Sequence, residues 1–148
     1  MTGHYRALLL LSGAILALPG CKKSANTADT GAATETATAP SASITEVQVG
    51  RHLSADKRVA EAVTKFSPGD TIYAVAVTQG SSPGATVTAR WTYEDGGQVV
   101  KEDSRAIAPN GTEATEFHIS KPSGWPKGKY RVTLTLGGST ESKDFEVK

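Results

Sequence analysis

The sequence predicts an all-β chain, an antiparallel β-sandwich of about seven strands, on three observations. First, ATVTARWTY (Ala85–Tyr93) and YRVTLTL (Tyr130–Leu136) alternate apolar and polar residues with a period of two. That is the pattern of a strand with one buried face. Second, turn formers recur between the apolar runs: SPGD at 67–70, SPGA at 82–85, EDGG at 94–97, APNG at 108–111 and the pair Gly137-Gly138. Third, apolar residues return at Ile44 and continue to Val147, a span of about 105 residues, which suits one domain around one core.

Taken in order, Ile44–Val49 is a short strand. Leu53–Phe66 fits a strand with Ala60, Ala62, Thr64 and Phe66 on one face, and also a short helical turn; the strand reading is adopted. In Thr71–Thr78, Ile72, Ala74 and Ala76 are expected inward, because small alanines leave room for the indole of Trp91. A one-residue slip would turn Val75 and Val77 inward instead. Val87, Ala89, Trp91 and Tyr93 share one face of the next strand. Val99–Ile107, Glu113–Ile119 and Lys143–Val147 are further strands, and Tyr130, Val132, Leu134 and Leu136 form the inner face of 130–136. Pro at the second turn position and Gly at the third predict type II turns at 67–70 and 82–85. APNG suits type I, and EDGG and Gly137-Gly138 suit hairpin connections.

Trp91 is placed like the core tryptophan of immunoglobulin-like domains. Pro126-x-Gly128-x-Tyr130-x-Val132 resembles the run into the penultimate strand of immunoglobulin-like and fibronectin type III-like domains. The resemblance implies that the Tyr130 hydroxyl holds a corner by bonding to backbone. It covers Thr71–Val147 well and Ile44–Phe66 poorly. The paired cysteines of antibody domains are missing, with Val132 at one of their positions, so apolar packing must replace the bridge.

Upstream of Ile44 the composition changes twice. Arg6 precedes ALLLLSGAILAL, a charge-free run of twelve residues at 7–18. It fits the apolar segment of a signal peptide and is shorter than the roughly 20 residues that span a bilayer. Pro19 and Gly20 then break any helix. Cys21 is the only cysteine, so no partner for a disulfide exists within the chain, although one between chains stays open. With His4, His52 and His118 scattered, no zinc spacing is present.

Leu18-Pro19-Gly20-Cys21 resembles the bacterial lipoprotein signal motif, with Pro19 in place of the more usual Ala or Ser. The resemblance implies cleavage after residue 20, acyl chains on Cys21, and attachment to a bilayer. Lys22, rather than Asp, resembles lipoproteins sorted to the outer membrane. Two or three chains anchor stably at about 0.8 kcal/mol per buried methylene. From 21 to 43 the chain carries the lipidated Cys and an Ala/Thr-rich stretch without Val, Leu, Ile or aromatics, read as a disordered tether. Its ends would lie roughly 25–30 Å apart.

Removing Arg6, Lys22 and Lys23 from sixteen basic residues, and Asp29 and Glu35 from fifteen acidic ones, leaves thirteen of each in 44–148. This balance argues against a nucleic-acid partner, which calls for a basic stripe. No catalytic site, metal site or cofactor is read. His52 and His118 are far apart in sequence, and His118, between Phe117 and Ile119, points outward. Glu94-Asp95 and Glu102-Asp103 are explained as solvated charges, and the sequon Asn110-Gly111-Thr112 carries little weight in a bacterial chain.

SGWPKGK (123–129) is the segment expected to offer contact to a partner, through Trp125, Lys127 and Lys129. The competing reading folds Trp125 back to close one end of the core, as its usual burial favours. The function so read is a non-catalytic interaction module that binds an envelope protein or polysaccharide. An inhibitor or accessory factor of an envelope enzyme is the alternative, and a hydrolase is disfavoured.

Overall fold

The computed structural model describes residues 41–148. The expected signal peptide (1–20), the expected lipidation at Cys21 and the part of the expected tether up to residue 40 lie outside the described residues. Eight strands follow in order: β1 (Ala42–Gly50), β2 (Lys65–Phe66), β3 (Ile72–Ser81), β4 (Ala85–Tyr93), β5 (Gln98–Ile107), β6 (Asn110–Ile119), β7 (Gly128–Leu136) and β8 (Ser139–Val147). They form a three-stranded sheet, β1-β3-β6, packed on a five-stranded sheet, β2-β8-β7-β4-β5. All pairings are antiparallel except β2 with β8. This is an immunoglobulin-like sandwich.

The core follows from the alternation. Val87, Ala89 and Trp91 of β4 and Tyr130, Val132, Leu134 and Leu136 of β7 are buried, facing Ile72, Ala74 and Ala76 of β3 and Phe117 and Ile119 of β6. Apolar packing thus fills the place of a bridge at Val132. Phe145 stacks on Tyr130 with ring centroids 5.4 Å apart and meets Trp91 edge-on at 6.0 Å. The tyrosine corner is present: Tyr130 Oη donates to the Pro126 carbonyl at 2.7 Å. His118 points outward, as expected.

Both alternatives for β3 are satisfied at once. Ile72, Ala74 and Ala76 enter the core, yet Val75 and Val77 on the opposite face are also buried. Segment 51–62 lies over that face, with Val59 N–H donating to Gln48 Oε1 at 3.2 Å, beside Val75 in the ladder. Gly50 makes the crossing feasible, since a Cβ there would come within 2.3 Å of Val59 Cγ1.

Three expectations are corrected. Segment 53–66 is neither a strand nor a helix, apart from Lys65–Phe66. Ser54 and Asp56 close a local turn instead: Ser54 Oγ bonds the Asp56 carboxylate, and Ser54 N–H donates to the Arg58 carbonyl at 2.8 Å. Such side-chain bonds compete with a strand ladder. The turns at 67–70 and 82–85 are not type II, because neither Gly69 nor Gly84 has positive φ. At 67–70 the Asp70 carboxylate accepts the Ser67 N–H at 2.8 Å and holds the turn without a left-handed residue.

All strands but the two-residue β2 are nine or ten residues long and run the length of the sandwich. β1 enters opposite Gly80, at the end carrying the 82–84 and 108–110 turns. The other end carries 67–70, 94–97 and 120–127.

Candidate functional site

At that second end, the loops are tied together through Trp125. Its N–H donates to the Pro68 carbonyl at 2.7 Å and its indole Nε1 to the Asp70 carbonyl at 3.1 Å. The ring is 8% exposed and packs edge-on against Tyr130 at 6.4 Å. Asp70 is in turn held by Arg51 Nε at 2.8 Å, and the Arg51 and Ser67 hydrogen bonds keep its carboxyl below the usual carboxylate range. On the other side, Asp95 accepts the Lys129 N–H at 2.9 Å, and Tyr93 Oη donates to the Lys127 carbonyl at 3.2 Å.

Of the residues expected to offer contact, the indole of Trp125 therefore closes the end of the core. Lys127 and Lys129 are exposed, with Lys129 turned to the outer face of β7 and β8 beside Glu94 and Glu146. They do not gather around Trp125. Other side chains do.

The gathering occurs where this end meets the flank between β5 and β6, the edge strands of the two sheets. The β4–β5 register puts Lys101 opposite Trp91, Asp103 opposite Ala89 and Arg105 opposite Val87. Because the β4 residues face the core, three charged side chains stand on the inner face of an edge strand. They bridge the flank. Arg105 lies 5.5 Å over the ring of Phe117 and 3.3 Å from Glu116, and Lys101 Nζ reaches the His118 carbonyl at 3.4 Å. Inward-pointing charge is a device that keeps an edge strand from pairing with another chain.

Next to Trp125 this flank opens into a groove of about 490 Å³ lined by Val100, Lys101, His118, Ile119, Ser120, Lys121 and Trp125. It continues past Val99, Gln98 and Tyr93. Val99 is 47% exposed, the large apolar side chain most open to solvent among the described residues. His118 Nδ1 lies 3.5 Å from Glu116 and its ring 5.5 Å from Tyr73. His52 is exposed elsewhere, and among the described residues no group of three metal-ligating side chains forms. Alternation of Lys101, Asp103 and Arg105 was the signal for the charged flank. Which side of β5 they occupied depended on the bulge at Trp91/Thr92.

No protein-family model matches the chain, and no curated protein matches it. Among solved structures it is similar to part of a cycloisomaltooligosaccharide glucanotransferase from Paenibacillus sp., complexed with cycloisomaltoheptaose, with 18% identity and a TM-score of 0.55. The likeness covers 74% of this chain and 14% of that enzyme. A CARDB domain from Pyrococcus furiosus, in complex with di-metal ions, is similar at 11% identity and a TM-score of 0.48, covering 74% of this chain and 89% of that one. The first likeness shows the sandwich fold alone.

Proposed function

We propose that the protein is a lipid-anchored lipoprotein of a bacterial envelope whose folded part is a non-catalytic module that binds an envelope protein or polysaccharide.

 The observation that carries the binding role is the groove itself: an apolar floor of Val100, Ile119 and Trp125, two lysines on its rim, and two unpaired strand edges beside it. Convergent polar groups around an apolar concavity are the ordinary form of a binding site. The anchor rests on Leu18-Pro19-Gly20-Cys21 following the apolar run 7–18. Outer-membrane placement rests on Lys22.

Two measurements test the two halves. Metabolic labelling with an alkynyl palmitate should mark wild type and leave Cys21→Ala unmarked and in the soluble fraction; equal labelling of both removes the anchor. A photo-crosslinker at position 121 should give an adduct in intact cells, and one at Ser142, on the far face of β8, should not. Equal yields from both positions remove the groove as the binding face.

A further inference from the structure

We infer that the groove over Trp125 receives the free carboxyl terminus of an extended polypeptide. The inference rests on the binding role proposed above and gives its partner a chemical class.

Charge comes first. The lining residues supply two ammonium groups and an imidazole, and no carboxylate. Lys121 has no ion-pair partner among the described residues. Lys101 is only loosely engaged, 3.8 Å from Asp103 and 3.4 Å from the His118 carbonyl. A carboxylate set between them gains charge-assisted hydrogen bonds that neither lysine now makes.

The backbone gives the second argument. β6 is the edge of its sheet, so alternate N–H and C=O groups point into the flank. The His118 carbonyl is one of them, and Lys101 occupies it. When Lys101 turns to an incoming carboxylate, that carbonyl is released to pair with an extended main chain, the usual mode of strand addition. The bridge from Arg105 to Glu116 crosses the flank only two residues further along β6. It leaves room for the end of a chain and obstructs a strand that would run through.

The third argument separates a peptide from a sugar. A saccharide platform needs an open aromatic face, and the Trp125 indole is 8% exposed with its Nε1 committed to Asp70. With Val100 and Ile119 it makes a floor suited to an apolar terminal side chain.

The test uses the full-length protein in detergent and fluorescent heptapeptides ending in an aliphatic or aromatic residue, each prepared as free acid and as amide. Anisotropy should show the acids binding at least about tenfold more tightly than the amides, the scale of a hydrogen bond to a charged group. The double variant Lys101→Gln, Lys121→Gln should bring the acids down to the amides while its thermal unfolding stays at the wild-type temperature. Equal binding of acid and amide, no binding of either, or lysine-dependent binding of polyuronate chains in their place overturns the inference. An adduct from position 121 that maps to the interior of its partner also overturns it while leaving the binding role standing; loss of the adduct altogether overturns the binding role.

Discussion

The two flanks of the sandwich solve one problem by opposite means. On one, β1 lies against β8, with Ile44 N–H donating to Ser139 Oγ at 3.1 Å, and β2 pairs in parallel with the end of β8. Phe66 is 2% exposed there and meets Phe145 edge-on at 5.4 Å. On the other, β5 and β6 do not pair, and Lys101, Asp103 and Arg105 occupy the inner face of β5. The first flank is closed by apolar burial and backbone pairing. The second is held by side-chain contacts that can exchange partners: the Arg105–Glu116 ion pair, Arg105 over Phe117 and Lys101 on the His118 carbonyl. A surface that must bind something is better built from the second kind, because exposed ion pairs contribute little to stability and can be rearranged at small cost.

The sharpest way to break this comparison is truncation at the apolar anchors. Phe66→Ala and Trp125→Ala should each lower unfolding stability by about 3–5 kcal/mol in denaturant titration. A loss below about 1 kcal/mol would mean that neither flank nor end depends on them. Next, replacing the inner charges of β5 together (Lys101→Thr, Asp103→Val, Arg105→Thr) should give a folded protein that self-associates more strongly than wild type in sedimentation velocity, by edge pairing. Unchanged association would remove the protective role of those charges.

Smaller effects refine the picture. Tyr130→Phe should cost about 1 kcal/mol through the lost bond to Pro126. Arg105→Ala should cost less than about 1 kcal/mol, in contrast to Phe66 on the opposite flank. Asp70 titrates below its ordinary value in the folded state, so its contribution is present above the unfolded value of about 3.9 and is lost as pH falls through the folded one. Melting temperature measured from pH 5 downward should therefore fall less steeply in Asp70→Asn than in wild type. Parallel curves would show that the Arg51 contact contributes nothing.

Much of the fold was legible because β4 and β7 each have one buried face. Trp91, Val132 and Tyr130 could be placed from alternation and the PxGxY run alone. β3 was ambiguous for a physical reason: Ala74 and Val75 are both fully buried, and a strand covered on both faces loses its period. Segment 53–66 misled because Ser54 and Asp56 satisfy its backbone locally, which a count of apolar positions does not register. The site was harder to read. Lys101 looks the same in sequence whether it faces solvent or the core, and only the register with Trp91 turns it into the flank. His118, Ile119 and Lys121 reach the groove from another sheet and its following loop, a juxtaposition that no local pattern announces.

β1 enters the sandwich opposite Gly80, and the groove lies at the other end of the strands. β1 has nine residues from Ala42 to Gly50, a rise of roughly 27 Å. If tension were applied between a membrane anchor upstream and a ligand held in the groove, it would run along the strands. The β1–β3 hydrogen bonds lie across that direction and would resist together in shear, instead of opening one at a time like a zip. With the anchor and the groove as proposed, the placement of the two ends would make the domain a mechanical link.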